Sequence, residues 1–217
     1  MECRKRASDV GAWPCDGETH QVLASYMGEL EASSEVQPEL AVNFMDMRGA
    51  DLAGIELSGA EFFGTNLEGV GLSRACLGKA DFRGAEMSGA DFSGCWMMKA
   101  EAYECTARRA SFVEAQLVGT SFLFADLQGA DFRGSWLFNV RFGRADLRGA
   151  DFRDAHFGPD HNRTSMDRAR LEGAAFENAS GVITGAAYVD DGEPLGGSAL
   201  ESWFRHHGSP NIRVVER

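Results

Sequence analysis

Long apolar stretches are missing from this chain, although hydrophobic residues make up 44% of its 217 positions. No run approaches the ~20 residues that a membrane-spanning helix needs, so no membrane span is predicted. Basic side chains are also scarce: 21 Lys and Arg stand against 33 Asp and Glu, giving a formal net charge of -12. That sign argues against direct binding to DNA or RNA, which requires a basic surface.

Motifs of catalysis and of metal binding are missing too. The chain has no nucleophile elbow, no phosphate-binding glycine loop and no constellation of His and Cys, so we predict that it is not an enzyme. Its five cysteines, Cys3, Cys15, Cys76, Cys95 and Cys105, show no metal-ligand spacing. We therefore predict no metal site and no cofactor, and we expect Cys95 and Cys105 to be buried free thiols.

The basic residues Arg4, Lys5 and Arg6 have no apolar run behind them. A secretory signal peptide needs such a run, so none is predicted. Since the cysteines also show no secreted-type framework, a cytoplasmic location is the expectation.

What the chain has in abundance is one five-residue unit, repeated from about Met45 to Phe157 without a slip. Each unit has a small residue, usually Ala, then often an acid, a central Leu, Phe or Met, a variable residue and often Gly. A period of five fits neither a helix, with ~3.6 residues per turn, nor a strand, which alternates every ~2 residues. The chain must therefore turn after every unit, and the units must stack into a rod to bury their central residues.

Central residues that lie 20 positions apart resemble one another, which indicates that four units make one coil. One column consists of Phe62, Phe82, Ala102, Phe122 and Phe142, and another consists of Leu52, Leu72, Phe92, Phe112, Phe132 and Phe152. Ala102 and Ala107 are two consecutive centres without a large side chain. We expect Met97, Met98 or Tyr103 to repack into the space that they leave.

The phrase Ala-Asp-Leu-Arg-Gly-Ala-Asp-Phe-Arg, at 145–153, closely resembles the pentapeptide-repeat family. The resemblance covers a little over half of the chain and resumes at Met166, Leu171 and Phe176. It implies an all-β solenoid, a right-handed quadrilateral β-helix of about six to seven coils with short helical terminal segments. The predicted division is an N-terminal segment with an amphipathic helix (1–40), the β-helix with a loop at 158–163 (41–180), and a linker followed by a C-terminal helix or strand (181–217).

Glycine ends many units, for example Gly84 and Gly129. A corner that needs a positive φ accepts Gly at little steric cost. Where a residue such as Arg74, Lys99 or Arg109 replaces it, we expect a different turn and a less regular face. The middle of the rod is therefore predicted to be its least regular part.

Two adjoining sides of the rod carry outward acids, which we call the acidic rows. The first row is Asp46, Glu86, Asp126 and Asp146, and the second is Asp51, Asp91, Asp131 and Asp151. Carboxylates in rows resemble a nucleic-acid backbone, and some members of the family protect DNA gyrase. The resemblance thus implies a DNA-mimicking binder of a type II topoisomerase, gyrase above all, that gives protection or self-resistance to gyrase inhibitors. The alternative is that these acids only solubilise the rod, since Arg133, Arg148 and Arg153 dilute them.

A third side carries outward apolar residues, which we call the aromatic patch. It consists of Trp96, Met98, Val118, Trp136 and Phe138, and it continues with Tyr103, Leu123 and Phe124 across the adjoining corner. Contiguous apolar surface marks an interface or is covered by another part of the chain. The patch favours a second hypothesis, a protein-binding adaptor or scaffold, which includes an accessory protein of a biosynthetic or regulatory complex. Covering by a terminal segment is the remaining alternative.

Both termini offer such a cover. Residues 19–33 place Val22, Leu23, Tyr26, Met27 and Leu30 on one face of a predicted helix. Near the other end, Ser198 and Glu201 have the spacing of a capping box, and a closing edge strand is predicted. In gyrase-protecting relatives a C-terminal helix or strand joins two rods. The candidate residues for dimerisation or for capping are Leu200, Trp203, Phe204, Ile212 and Val214.

The repeat is broken once, between Phe157 and Met166. The extra residues are predicted to leave the rod as a loop at 158–163, and 181–197 is predicted to be a flexible connector. Loops help gyrase-protecting relatives to engage the topoisomerase, so Asp160, His161 and Arg163 are candidate contacts by resemblance. A simple tolerated insertion is the alternative.

Overall fold

The computed structural model describes Cys3, residues 6–32 and residues 38–215. Arg4 and Lys5, and positions 33–37 of the predicted N-terminal segment, lie outside the described residues. Among the described helices, none is long and apolar enough to cross a membrane.

Parallel β-bridges between residues 20 positions apart build the rod. Asp46 is bridged to Asn66, Trp96 to Gln116, and the same step continues to His156. Four turns separate bridged partners, which confirms four units per coil and makes this part of the chain an all-β solenoid. Its right-handed winding and its total of six to seven coils stay predictions.

The core of the rod is a stack of phenylalanine rings. Phe92, Phe112, Phe132 and Phe152 lie above one another, with ring centroids 4.9 to 5.1 Å apart. Phe122 and Phe142 stack in the neighbouring column, which Ala102 interrupts after Phe62 and Phe82. Rings of the two columns meet edge to face at 5.5 to 6.2 Å. Both arrangements are favourable for aromatic quadrupoles, so the orientation of the rings stabilises the core beyond the burial of apolar area.

All corners of the coil use the same backbone whether or not they hold glycine. Gly84 has a φ of 65°, and Arg74, Lys99 and Arg109 have φ values of 57°, 57° and 55°. The expectation of a different turn at non-glycine corners is therefore wrong. Cooperative stacking imposes one turn geometry and overrides the local preference of each side chain.

The centres Ala102 and Ala107 are fully buried, as large centres are. Met98 and Tyr103 keep their side chains outside the rod, so the expected repacking of these two residues is wrong. The local effect is small: the hydrogen bond that closes the unit of Ala102 lengthens to 3.5 Å, against 3.1 Å in the unit of Leu77.

An N-terminal segment closes one end of the rod. It contains a short 3-10 helix, Ala7–Asp9, and helix α1, Gly17–Ala32. The carboxylate of Asp16 caps α1 by accepting hydrogen bonds from the backbone and the hydroxyl of Thr19. The buried face of α1 includes Leu23, Tyr26, Met27 and Leu30, which confirms the predicted amphipathic helix.

A small sheet and a helix close the other end. Strands β1, Thr164–Ser165, β2, Ser180–Thr184, and β3, Asn211–Val215, form a parallel sheet in the order β1-β2-β3. The predicted edge strand is thus confirmed. The predicted connector at 181–197 is wrong in its first part, because β2 buries Val182 and Ile183.

Helix α2, Gly197–His206, lies against β3. The predicted capping box is wrong, because Gly196 is the N-cap and no side chain bonds there. The carboxylate of Glu201 instead accepts a hydrogen bond from the backbone N–H of Val214. That contact covers a donor on an edge strand, which would otherwise invite pairing with another chain.

The insertion after Phe157 leaves the rod in phase. Trp136 is bridged to His156, 20 positions on, whereas Arg141 is bridged to Ser165, 24 positions on. Four residues are thus looped out, as the sequence predicts, and the buried hydroxyl of Thr164 donates to the backbone oxygen of Leu137 where the coil resumes.

Candidate functional site

Arginines neutralise much of both acidic rows. Asp46 pairs with Arg48, Asp131 with Arg133, Asp146 with Arg148 and Asp151 with Arg153, with N–O distances of 2.5 to 2.7 Å, and Arg108 reaches Asp126 at 2.7 Å. In most pairs the arginine lies two residues after the acid, so both side chains leave the same turn.

The pairs also shift proton affinities. Hydrogen bonds from Arg48 hold the pKa of Asp46 below its ordinary value of 3.8. Burial acts to raise the pKa of Asp146 and Asp151, but hydrogen bonds from Arg148 and Arg153 outweigh it and the net shift is downward. These carboxylates are therefore ionised at neutral pH, yet each charge is met by a guanidinium.

The two acidic sides differ in the net charge that remains when the arginines are counted. The side of the first row presents the acids Asp46, Glu68, Glu86, Asp126, Asp146 and Glu172, against Arg48, Arg108, Arg109, Arg148 and Arg170. The side of the second row presents Asp51, Asp91, Glu114, Asp131, Asp151, Asp154 and Glu177, against Arg74, Arg133 and Arg153. Only the second side keeps a clear excess of negative charge, and its Asp51 end is bridged to Ala12 of the N-terminal segment.

The aromatic patch remains open to solvent in the described structure. Trp96 and Trp136 are 40% and 41% exposed, and Met98 and Tyr103 are exposed as well, whereas Val118 and Phe138 are half-buried. Cys3 of the N-terminal segment reaches this side at Cys76, one coil before Trp96. The described residues nevertheless leave both tryptophans exposed.

Trp96 and Trp136 lie two coils apart on the same side of the rod. Both are bridged to Gln116, which lies between them. At ~4.8 Å per strand the two tryptophan backbones are roughly 10 Å apart, with the side chain of Gln116 between them. Trp136 is held by Phe138, with ring centroids 5.3 Å apart, and lies 5.0 Å from His156.

The same surface continues around the corner of the rod. Tyr103 packs edge to face against Phe124 at 5.4 Å, and the guanidinium of Arg144 lies 5.3 Å from the centre of the Phe124 ring. Sequence reasoning grouped Phe124 with the patch but left out Arg144. The signal that could have found Arg144 is its spacing of 20 from Phe124, which puts both residues at the same corner in successive coils.

The loop borders the aromatic patch and is tied down. The carboxylate of Asp160 pairs with Arg213 of β3 at 2.6 Å, and Arg163 donates to the backbone oxygen of Asp160. Gly158 packs so closely that a Cβ there would lie 3.0 Å from the ring of Phe138. The third candidate contact, His161, is exposed.

The candidate dimerisation or capping residues pack within their own chain. Leu200, Phe204 and Ile212 are fully or almost fully buried, and Val214 is buried. Phe176, the last centre of the rod, meets the rings of Phe204 and Trp203 at 4.9 and 5.9 Å. This arrangement favours the capping alternative.

Four of the five cysteines fall into two pairs, one pair of buried free thiols and one disulfide. Cys95 and Cys105 are buried free thiols, as predicted, and burial raises the pKa of both well above the ordinary value. Cys3 and Cys76 form a disulfide that joins positions 73 residues apart. No short sequence motif indicates a contact between residues so far apart in the chain, so the sequence analysis missed this disulfide.

Comparison with known proteins agrees with the repeat. The family described as pentapeptide repeats matches residues 46–77, 65–101 and 102–134, in 8 copies. QnrB1, a plasmid-mediated fluoroquinolone resistance protein, has a similar structure, with a TM-score of 0.51 and 20% identity over 82% of this chain and 84% of that chain. At that identity the likeness supports the fold alone.

Two further structures match with TM-scores below 0.5. HetL, a pentapeptide repeat protein involved in heterocyst differentiation regulation from the cyanobacterium Nostoc sp. strain PCC 7120, is 20% identical, with a TM-score of 0.48 over 77% of this chain and 92% of that chain. A pentapeptide repeat protein of the Arabidopsis thaliana thylakoid lumen is 29% identical, with a TM-score of 0.37 over 46% and 66%. No curated protein sequence matches the chain.

Proposed function

We propose that this chain, a pentapeptide-repeat protein, is a non-catalytic cytoplasmic module that binds a protein partner through the aromatic patch. The observation that carries the proposal is the exposure of Trp96 and Trp136 on one side of the rod. Tryptophan, tyrosine, methionine and arginine are the residues enriched in protein interfaces, and the patch with Arg144 offers all four.

The partner has a definable chemistry. Apolar side chains of a partner would contact Trp96 and Trp136, and a carboxylate of the partner would meet Arg141 and Arg144 on the adjoining side of the rod. Arg141 makes only a loose pair with Glu101, at 3.3 Å, so it can exchange that partner at little cost. We therefore expect an apolar and acidic segment of the partner to bind here.

The test is a quantitative pull-down from the native host with two variants of opposite design. Replacing Trp136 and Phe138 with Ser should abolish capture of the specific partner, while reversing the charge at Asp126, Asp131 and Asp151 should leave it intact. Capture that is lost only in the charge-reversed protein contradicts the proposal.

A second candidate is a mimic of duplex DNA that occupies DNA gyrase and protects it from inhibitors. The excess of acids on the side of the second row favours it, and Asp91 of that row has no arginine in its turn. The ion pairs of the first row weigh against it, because a paired carboxylate offers little net charge to a DNA-binding groove.

Gyrase assays separate the two candidates. The mimic should alter supercoiling by gyrase, with or without a quinolone, and Asp91→Lys with Asp131→Lys should remove the effect. If the purified protein leaves supercoiling unchanged under both conditions, this candidate is wrong. A homodimer through the C-terminal segment belongs to this candidate and would appear as a doubled mass in solution.

A further inference from the structure

Three side chains with metal-binding chemistry meet at the N-terminal end of the rod. Cys3, Glu56 and Cys76 each place one ligand atom within 4.8 Å of the others, and this is the one such group of at least three His, Cys, Asp or Glu among the described residues. Glu56 and Cys76 come from adjacent coils and are bridged to each other. Cys3 comes from the N-terminal segment, with its Cα 6.1 Å from that of Cys76.

Two of these ligands are held by the rigid rod. The backbone N–H of Ser58 donates to a carboxylate oxygen of Glu56 at 2.9 Å, and the hydroxyl of Tyr26 donates to the backbone oxygen of Glu56 at 2.7 Å. The N–H of Cys76 donates to the backbone oxygen of Ile55 at 2.9 Å. Contacts of this kind orient metal ligands before the ion arrives, which lowers the cost of binding.

We propose that Cys3, Cys76 and Glu56, with both cysteines reduced, bind one zinc ion and thereby fasten the N-terminal segment to the rod. Two thiolates and one carboxylate suit Zn²⁺, and a water molecule completes four-coordination. Bonds of ~2.3 Å to sulfur and ~2.0 Å to oxygen need ligand atoms roughly 3.3 to 3.8 Å apart. The two sulfurs, which are bonded to each other in the disulfide, therefore have to separate after reduction, and the carboxylate of Glu56 already lies within 4.8 Å of both.

The disulfide and the zinc site are alternatives, because they use the same two sulfurs. A dithiol reductant opens the disulfide by supplying two electrons and two protons, and is itself oxidised to a disulfide. The two thiols then release two protons as they bind the ion, and zinc stays divalent throughout. In a compartment that keeps thiols reduced, zinc supplies the link that the disulfide supplies under oxidising conditions.

The experiment uses the full chain, reduced with a dithiol and then freed of reductant without oxygen. After incubation with zinc chloride and desalting, elemental analysis should find one zinc per chain. Cobalt chloride in place of zinc should give the charge-transfer absorption of thiolate bound to cobalt. Cys3→Ser and Cys76→Ser should lose both signals, and Glu56→Gln should weaken zinc binding at least as much as the ~10-fold typical of an altered ligand environment.

Cys15→Ser is the matched control, because Cys15 is an exposed free cysteine outside the group, and this variant should bind zinc fully. Protection of Cys95 and Cys105 from a thiol reagent verifies that each variant is folded, since both are buried. The proposal is overturned if the reduced chain retains no zinc, if Cys3→Ser or Cys76→Ser binds as much as the parent, or if Glu56→Gln has an unchanged affinity.

Discussion

Residues at the corners of the coil carry backbone strain that glycine would relieve. In the described part of the chain, 13 residues other than glycine have a positive φ, between 54° and 61°. For an L-residue this region costs ~1 to 2 kcal/mol relative to the right-handed one. The rod tolerates the cost because each corner is held by hydrogen bonds to the coils on either side.

Arg109 and Gly89 form a matched pair for measuring this strain, since they occupy the same corner in successive coils. Gly89→Ala meets no atom within 4 Å and introduces only a strained φ of 67°, so unfolding should require ~1 kcal/mol less. Arg109→Gly should raise the free energy of unfolding by ~0.5 kcal/mol, because greater freedom of the unfolded chain offsets part of the relief. Urea unfolding of both variants checks the signs, and two changes of equal sign would contradict the account.

Ion pairs at single turns make stability depend on pH. Because the pKa values of Asp146 and Asp151 lie below 3.8 in the fold, their contribution is present above pH 3.8 and is lost as pH falls through the lower folded values. Asp146→Asn with Asp151→Asn should therefore flatten the fall in unfolding free energy below pH 3.8. At neutral pH the loss should stay within ~1 kcal/mol per exposed pair. Urea titrations at several pH values measure this, and an unchanged slope would refute it.

The coil as an element is stabilised by its two phenylalanine stacks. Phe132 contacts rings above, below and beside it, at centroid distances of 4.9 to 6.2 Å. The sequence predicts these columns well, because a buried position recurs every 20 residues and admits few shapes. The sequence does not predict that glycine and non-glycine corners share one backbone conformation, because stacking of the coils imposes that conformation.

Phe132→Ala should lower the free energy of unfolding by ~3 to 5 kcal/mol, the usual cost of removing a buried aromatic ring. Phe63→Ala is the control, because Phe63 is an exposed ring outside the core, and its effect should stay below ~1 kcal/mol. Chemical unfolding monitored by tryptophan fluorescence gives both values. Similar losses for the two variants would mean that the stack is not what stabilises the coil.

The molecule as a whole is a rod whose two ends are closed by its own chain. Helix α1 and the tail were predicted because their apolar faces are visible in the sequence. Glu201 was assigned to a capping box and caps β3 instead, since the choice depends on a strand that follows ten residues later. The pairing of Cys3 with Cys76, and the ion pair of Arg108 with Asp126 between adjacent coils, likewise come from neighbours brought together only by folding.

Truncation after Gly196 tests the role of the C-terminal closure. Without α2 and β3, the ring of Phe176 and the free edge of β2 face solvent, and an open edge strand pairs with other chains. The truncated protein should elute as dimers and larger species in light-scattering chromatography, whereas Arg213→Glu, which removes only the pair with Asp160, should not. A monomeric truncated protein would show that the closure does not block assembly.

The spacing of 20 residues between bridged partners has a consequence for how such a chain can evolve. A duplication or deletion of one full step, anywhere between the two closing segments, returns every later residue to the side it occupied before. Such an event alters the rod's length while each side keeps its chemistry. A partner that contacts two points along the rod would then find the same residues at a different separation. Insertions of other lengths survive only where the chain can leave the coil and re-enter it, as it does between Phe157 and Met166.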